Sequence, residues 1–139
     1  MDNSAPTAGI AQPAAHPKRI LFVEDDDALA GVYLVRLQAE GFDVKRVANG
    51  EEALAAALSF HPDLVLLDVM MPKVSGFDVL DILRNTPDTA NLKIIMLTAL
   101  SQESDRKRAE DMGVDDYLVK SQVVITDVID HIKSHLGLS

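Results

Sequence analysis

Four short apolar runs in the sequence are each followed by polar residues whose types suit metal and phosphate chemistry. Glu24 and Asp25 follow ILFV, Asp68 follows LVLL, Thr98 follows IIML and Lys120 follows YLV. Clustered carboxylates without a paired arginine repel one another and raise each other's pKa, unless a cation lies between them. Mg²⁺ fits that role, because it takes oxygen ligands and joins carboxylates to a phosphate. These residue types therefore predict a magnesium-dependent phosphoryl-transfer site.

Asp68 is the candidate nucleophile, because it follows a central strand of the predicted sheet. A carboxylate can attack a phosphoryl donor and form an acyl phosphate, while a metal ion and a lysine neutralise charge on the transferred oxygens. Asp25 and Asp68 are the candidate metal ligands. Lys120 would be the fixed cation, and Thr98 would donate a hydroxyl to the new phosphoryl group. Their contribution is mainly electrostatic preorganisation.

The segments that carry these residues alternate between strand and helix patterns. β-branched apolar runs predict five strands, at residues 20–23, 42–47, 64–67, 92–97 and 117–119. Apolar residues at helical spacing predict five helices, at residues 27–41, 49–60, 76–84, 101–112 and 126–136. Asp27 is the predicted N-cap of the first helix, Gly41 suits its left-handed C-terminal position, and Asn49 begins the second helix.

The predicted strands indicate a parallel sheet. The third and fourth strands lack polar residues at alternate positions, which is typical of parallel strands that are covered on both faces. Strict alternation of strand and helix also favours an α/β fold. Right-handed crossovers then place helices on both faces and the carboxyl ends of all strands at one edge. The polar residues at the strand ends are expected to gather at that edge.

Composition excludes several classes of function. The 139 residues and 47% hydrophobic content allow one packed domain, and the lack of cysteine excludes disulfides, thiolate metal sites and cysteine nucleophiles. A formal net charge of -9 would repel nucleic acid and anionic lipid, and no apolar run approaches the roughly 20 residues of a membrane span. We therefore expect a cytoplasmic protein without nucleic-acid or membrane partners. The Pro- and Ala-rich residues 1–17 are expected to form a flexible tail.

Four segments resemble, in order, the signatures of the response-regulator receiver domain: ILFVEDDDAL, DLVLLDVMMPKVSG, IIMLTA and DDYLVKS. The intervals from Asp68 to Thr98 and from Thr98 to Lys120 are also similar to those of the family. The resemblance implies a receiver domain over residues 18–139, of the stand-alone, chemotaxis-regulator-like kind found in two-component systems. It implies a flavodoxin-like, doubly wound, five-stranded parallel sheet of order 2-1-3-4-5 with five helices.

The same resemblance implies a ligand set for Mg²⁺. Asp25 and Asp68 would bind the ion directly, the backbone carbonyl of Met70 would be the third protein ligand, and Glu24 would act through water. Asp68 would also be the phosphoacceptor. The protein would not be a conventional enzyme, since it would catalyse only its own phosphorylation and dephosphorylation.

The resemblance further implies a switch formed by Thr98 and Tyr117, in which the hydroxyl moves toward the phosphoryl group and the ring rotates inward. The expected phosphodonor is a histidine kinase or a phosphotransfer protein. The expected output surface is formed by the fourth and fifth strands with the fourth and fifth helices, and it would bind a downstream protein or a second copy as a homodimer. No output domain follows Leu136 in this sequence, so we expect action through a partner, unless the sequence is a fragment of a longer chain.

Two features depart from the family pattern. Ser121 follows Lys120 where the family commonly has proline, often after a cis peptide bond. A cis bond before another residue costs about 2.5 to 4 kcal/mol, so a trans bond or a strained cis bond is expected here. Met70 and Leu100 are apolar at two positions that influence the hydrolytic water in the family. Their apolar character predicts slow self-dephosphorylation.

Two other functions fit parts of the pattern. An aspartate-dependent phosphohydrolase would use Asp25 of an Asp-x-Asp motif as nucleophile, which leaves Asp68 unexplained. A phosphorylation-independent adaptor would not need the reactive residues, all of which are present. The four histidines show no spacing with acids that is typical of catalysis or zinc binding, and His131 and His135 are interpreted as structural residues near a helix C-terminus.

Overall fold

The computed structural model of the protein describes residues 16–138. The flexible tail expected at residues 1–17 lies outside the described residues, except for His16 and Pro17, which are exposed and belong to no helix or strand. Within the described part of the chain, no helix is long and apolar enough to cross a membrane.

Five parallel strands form one sheet. They are β1 (Arg19–Val23), β2 (Asp43–Val47), β3 (Leu64–Leu67), β4 (Lys93–Thr98) and β5 (Asp116–Val119). Every neighbouring pair is parallel, and the order is β2-β1-β3-β4-β5. The flavodoxin-like order 2-1-3-4-5 is confirmed, and the predicted strand bounds are right to within one residue.

Five helices connect and follow the strands, as predicted. They are α1 (Asp27–Ala39), α2 (Gly50–Ser59), α3 (Gly76–Arg84), α4 (Glu103–Asp111) and α5 (Ile125–His135), with a short 3-10 turn at Lys120–Gln122. Asn49 caps α2, because its side chain accepts from the Glu52 N–H at 2.9 Å.

The predicted cap of the first helix is wrong by one residue. Asp26, not Asp27, is the N-cap of α1, and its carboxylate accepts from the Leu29 N–H at 3.1 Å. Asp27 is the first helical residue, and its carboxylate lies 2.9 Å from the Arg46 guanidinium. Gly41 has a φ of 94°, the left-handed conformation expected after α1. Asp26 has the extended backbone of an N-cap residue, and the carboxylate of Asp27 pairs with Arg46 of the neighbouring strand.

Apolar side chains cover both faces of the sheet. Residues of α1 and α5 pack on one face, and residues of α2, α3 and α4 pack on the other. The four residues of β3 are fully buried and alternate between the two layers, with Leu64 and Leu66 facing α1 and α5 and with Val65 and Leu67 facing the opposite layer. This double coverage explains the missing polar alternation, and it confines buried polar side chains to the strand ends.

Asp116, at the start of β5, binds two histidines of α5. Its Oδ2 lies 2.7 Å from His131 Nδ1 and 2.9 Å from His135 Nε2. Burial alone would raise the pKa of Asp116, but the hydrogen bonds from His135 and His131 outweigh it and lower that pKa. The two histidines therefore act structurally, by tying α5 to the edge strand.

Asp116→Asn keeps the side-chain shape and removes the charge. Because the Asp116 pKa is lowered in the folded state, the charge stabilises the fold above the ordinary aspartate pKa of about 4, and this contribution is lost as the pH falls through the lowered pKa. We expect the variant to lose about 1 kcal/mol of unfolding free energy at about pH 6, and this deficit to shrink below about pH 4. Urea unfolding followed by circular dichroism measures both. A deficit that stays constant as the pH falls would contradict this assignment.

Candidate functional site

Four side chains selected from the sequence meet at the carboxyl edge of the sheet. Lys120 Nζ lies 2.8 Å from Glu24 Oε1 and 3.4 Å from Asp68 Oδ2. Carboxylate oxygens of Glu24, Asp25 and Asp68 all lie within 4.8 Å of one another. The fold thus brings together Glu24 and Asp25, Asp68 and Lys120 from three separate parts of the chain.

The strand register places the two buried acids side by side. β1 and β3 are neighbours, with Val23 opposite Leu67, so the next residues, Glu24 and Asp68, leave the sheet at the same level. The Asp68 N–H donates to the Val23 carbonyl at 3.0 Å, which extends the pairing by one residue. Lys120 follows β5, two strands away from β3, and its long side chain reaches back across the edge to both acids.

Burial dominates the electrostatics of the site. Glu24 is 1% exposed and Asp68 is 4% exposed, and burial raises the pKa of both carboxyls in spite of Lys120. Burial alone would lower the pKa of Lys120, but the Glu24 and Asp68 carboxylates, 2.8 and 3.4 Å from its Nζ, outweigh this and raise that pKa. One lysine therefore faces three acids, and a divalent cation would relieve the excess of negative charge.

The donor atoms suit a hard divalent cation. All three acids offer carboxylate oxygens, and Glu24 Oε1 is buried without a hydrogen bond of good geometry, although the Lys120 ammonium is within ion-pair distance. Asp25 is exposed, so its carboxylate is open to an ion from solvent. The Met70 N–H donates to Asp68 Oδ1 at 3.3 Å, which holds that backbone close to the acceptor. The residues present therefore fit Mg²⁺, and the role of the Met70 carbonyl as a ligand stays a prediction.

Thr98 and Tyr117 share one backbone partner, Leu100. Thr98 is fully buried at the end of β4, and its Oγ1 accepts from the Leu100 N–H at 3.2 Å. Tyr117 is buried in β5, and its hydroxyl donates to the Leu100 carbonyl at 2.9 Å. The two residues selected as a switch are thus linked through a single peptide segment. No sequence pattern indicates this link, because it depends on the conformation of the loop between β4 and α4.

Arg106 of α4 packs against Tyr117 and was missed by the sequence analysis. Its guanidinium lies 5.0 Å from the ring centroid, and Nη1 donates to the Tyr117 carbonyl at 3.1 Å. Cation–π contacts of this kind stabilise by about 0.5 to 2 kcal/mol. Burial raises the pKa of Tyr117, so the phenol stays protonated and can donate to Leu100. Arg106 therefore helps to hold the ring in its buried position.

α3 begins directly against the backbone of Asp68. The Gly76 N–H donates to the Val69 carbonyl at 2.9 Å. A Cβ at Gly76 would overlap the Asp68 carbonyl oxygen and lie 2.7 Å from the Val69 Cα. Ser75 and Asp78 close the start of the helix with a capping box. The helix terminus therefore fixes the backbone that carries Asp68, and only glycine leaves room for this approach.

The peptide bond between Lys120 and Ser121 is trans, as are the other peptide bonds among residues 16–138. Both residues lie in the short turn that follows β5. Of the two conformations expected from the missing proline, the unstrained one is present, and Lys120 still reaches both acids.

The fold and the site together define a class of protein: a doubly wound parallel α/β domain with a buried carboxylate, further acids and a lysine at its strand ends. The family profile described as "Response regulator receiver domain" matches residues 20–132. The chain belongs to this family and is a receiver domain of two-component response regulators. Receiver domains act as response regulators rather than as conventional enzymes, and they interact with histidine kinases and downstream targets.

Particular relatives differ in how much of their length the chain covers. The chain is 32% identical over 121 residues to the polar-differentiation response regulator DivK of Brucella anthropi. The aligned segment covers 87% of this chain and 98% of DivK. It is 42% identical over 102 residues to the DNA-binding dual master transcriptional regulator RpaA of Synechocystis. The aligned segment covers 73% of this chain and 42% of RpaA. A solved CheY-like receiver domain protein from Methanospirillum hungatei matches with a TM-score of 0.80 at 29% identity, over 87% of this chain and 94% of that one. The chain thus spans less than half the length of RpaA and nearly all of DivK.

Gly76→Ala and Gly31→Ala form a matched pair of substitutions. At Gly76 the added methyl group meets backbone atoms, and overpacking of this kind costs about 1 to 3 kcal/mol of unfolding free energy. Gly31 lies inside α1 with nothing within 4 Å of the added atom, so the same change should stabilise by about 0.5 to 1 kcal/mol. Urea unfolding of both variants measures the contrast. Equal effects at the two sites would show that α3 does not press on the acceptor backbone.

Proposed function

We propose that a histidine kinase or a phosphotransfer protein phosphorylates Asp68 in a magnesium-dependent reaction, and that phosphorylation switches a protein-interaction surface. The observation that carries this proposal is the buried Asp68 carboxylate, with Lys120 Nζ 3.4 Å from its Oδ2 and two further acids in the same cluster. The site opens at the edge of the sheet where the strand ends meet solvent, so a phosphodonor can approach it.

In the proposed reaction, a carboxylate oxygen of Asp68 attacks the phosphorus of a phosphohistidine. An acyl phosphate forms, the P–N bond breaks, and its electron pair remains on the imidazole, which takes up a proton. Lys120 faces the acceptor oxygen and neutralises charge on the transferred oxygens. Thr98 supplies a hydroxyl that can donate to one of them.

The metal site contributes through its ligands. Asp25 and Asp68 would hold Mg²⁺ directly, together with the Met70 carbonyl, and Glu24 would act through water. When bound, the ion supplies further neutralisation of charge on the phosphoryl oxygens. The exposed carboxylate of Asp25 supports its direct role, and Glu24 Oε1 lies only 2.8 Å from Lys120 Nζ, which supports an indirect role for Glu24.

The proposed output depends on the segment that joins the switch residues. Movement of the Thr98 hydroxyl toward a phosphoryl group would break its hydrogen bond with Leu100, whose carbonyl accepts from Tyr117. The change would reach the face formed by β4, α4, β5 and α5, where a downstream protein or a second copy binds. The proposal keeps the cytoplasmic location expected from composition.

The phosphohydrolase interpretation is weaker than the receiver interpretation at the level of the site. It needs Asp25 as nucleophile, but Asp25 is exposed, whereas Asp68 is the acid buried beside Lys120. A nucleophile gains from a fixed neighbouring cation and from exclusion of water. Asp68 is therefore the better acceptor.

Incubation with acetyl phosphate and Mg²⁺, followed by intact mass measurement, tests the proposal. We expect one added phosphoryl group that requires Mg²⁺ and is absent in Asp68→Asn. Asp88→Asn is the matched control, because Asp88 is an exposed aspartate in the connection between α3 and β4, and it should be modified like the wild type. An unmodified wild type would overturn the proposal and make a phosphorylation-independent adaptor the leading interpretation.

The phosphorylated protein is expected to be long-lived, with a half-life well beyond seconds in the absence of a phosphatase. Hydrolysis needs a water aligned with the phosphorus, and the Met70 side chain, which is 56% exposed beside the acceptor, offers it no hydrogen bond. Met70→Asn should shorten the half-life by roughly tenfold, which corresponds to about 1.4 kcal/mol of barrier. Met70→Leu is the apolar control and should leave it unchanged. Decay of the acyl phosphate after removal of the donor gives each half-life, and decay of the wild type within seconds would contradict the prediction.

A further inference from the structure

Arg46 binds the acidic turn that follows β1, although it belongs to β2. Its Nε and Nη2 both donate to the Glu24 carbonyl, at 2.9 and 2.6 Å. Its Nη1 lies 2.9 Å from Asp27 Oδ1. The Arg46 side chain is 23% exposed, so these contacts are partly shielded from solvent. One guanidinium therefore holds both ends of the turn at residues 24–27.

The same turn is fixed by further hydrogen bonds on either side of Asp25. The Glu24 N–H donates to the Val47 carbonyl at 3.1 Å, and the Asp26 N–H donates to Glu24 Oε2 at 3.1 Å. The Asp26 carboxylate is engaged in capping α1. Asp25 thus lies between two anchored residues, and its exposed carboxylate remains available to an ion. The backbone of the turn is therefore fixed around a single candidate metal ligand, Asp25.

We propose that Arg46 is a positioning residue for the metal site: it holds the turn so that the Asp25 carboxylate stands beside Asp68 before the ion binds. This inference rests on the proposed function, because it concerns the same magnesium site. The planar guanidinium makes three contacts in fixed directions, and a lysine ammonium at this position cannot reproduce that fork. Removal of Arg46 would leave the turn free to move and would lower the affinity for Mg²⁺.

The charge of Arg46 acts in the opposite direction. A cation near the site repels Mg²⁺, so charge alone would make the affinity rise when Arg46 is removed. This repulsion is small, because the Asp27 carboxylate, 2.9 Å from the guanidinium, neutralises most of its charge. We therefore expect that the loss of positioning lowers the affinity for Mg²⁺ by more than the loss of the positive charge raises it. The two effects have opposite signs, so a direct binding measurement separates them.

The test compares Arg46→Met, Arg46→Lys and Arg36→Met with the wild type. Arg36 lies in α1 and pairs with Glu40 at 3.0 Å, so its removal costs one ion pair without touching the turn. Calorimetric titration with MgCl₂ gives the Kd, and phosphorylation by acetyl phosphate over a range of Mg²⁺ concentrations gives the half-saturating concentration and the maximal rate. Thermal unfolding without Mg²⁺ reports the stability of each variant.

We expect both Arg46 variants to raise the Kd for Mg²⁺ and the half-saturating concentration by about 10-fold, the lower end of the range for residues that orient metal ligands. The maximal rate at saturating Mg²⁺ should stay near that of the wild type, and Arg36→Met should leave the Kd unchanged. Arg46→Lys keeps the positive charge and loses the fork of hydrogen bonds to the Glu24 carbonyl, so it tests the inference even if Arg46→Met does not fold.

Three outcomes would overturn the inference. Tighter binding by Arg46→Met with wild-type binding by Arg46→Lys would show that Arg46 acts through charge. Unchanged Mg²⁺ affinity in both variants, with or without a loss of thermal stability, would reduce Arg46 to a structural role. A wild type that binds no Mg²⁺ would overturn the proposed function itself, and it differs from the other two outcomes because it appears before any substitution is made.

Discussion

Two carboxylates are buried side by side at the ends of adjacent parallel strands, and one lysine faces them. Removal of an ion from water costs several kcal/mol even after relaxation, and one ammonium cannot compensate Glu24 and Asp68 together. The raised pKa of each carboxyl reflects this imbalance. A site of this kind is not arranged for maximal stability. Its excess of negative charge is consistent with the proposed Mg²⁺ site, and the remaining parts of the domain hold the carboxylates in this unfavourable arrangement.

The sheet supplies most of the constraint. Its central strand is buried on both faces, so Asp68 cannot move without disturbing two apolar layers. The start of α3 approaches the Asp68 backbone so closely that Gly76 has no room for a side chain. Arg46 and the Asp26 cap hold the turn after β1. The backbone around Asp68 is thereby held in place, which suits the fixed charges that the proposed phosphoryl transfer needs.

The side of the site that contains Thr98 and Tyr117 is held by fewer and weaker contacts. Thr98 and Tyr117 meet through single hydrogen bonds to Leu100, and Arg106 covers the ring from α4. Each neutral hydrogen bond contributes about 0.5 to 1.5 kcal/mol, so a new charged group at Asp68 can compete with them. In the proposed function, phosphorylation of the rigidly held Asp68 would break these weaker hydrogen bonds and so change the surface of the domain.

The sequence by itself determined the elements and the edge at which the polar residues meet. Strand and helix periods are local properties, and Glu24, Asp68 and Lys120 each follow an apolar run, so the parallel topology was enough to bring them together. The sequence also indicated the trans alternative at Lys120, since proline is absent.

Only the tertiary structure decided which partners the side chains take. Asp26 caps α1, and Asp27 pairs with Arg46, which lies on another strand. His131 and His135 bind Asp116, and Leu100 links the switch residues, through contacts that span 15 to 19 positions or depend on a loop backbone. Such contacts have no sequence period, because they arise from the packing of whole elements. The sequence therefore locates the chemistry, and the packing of the elements decides how each group is held.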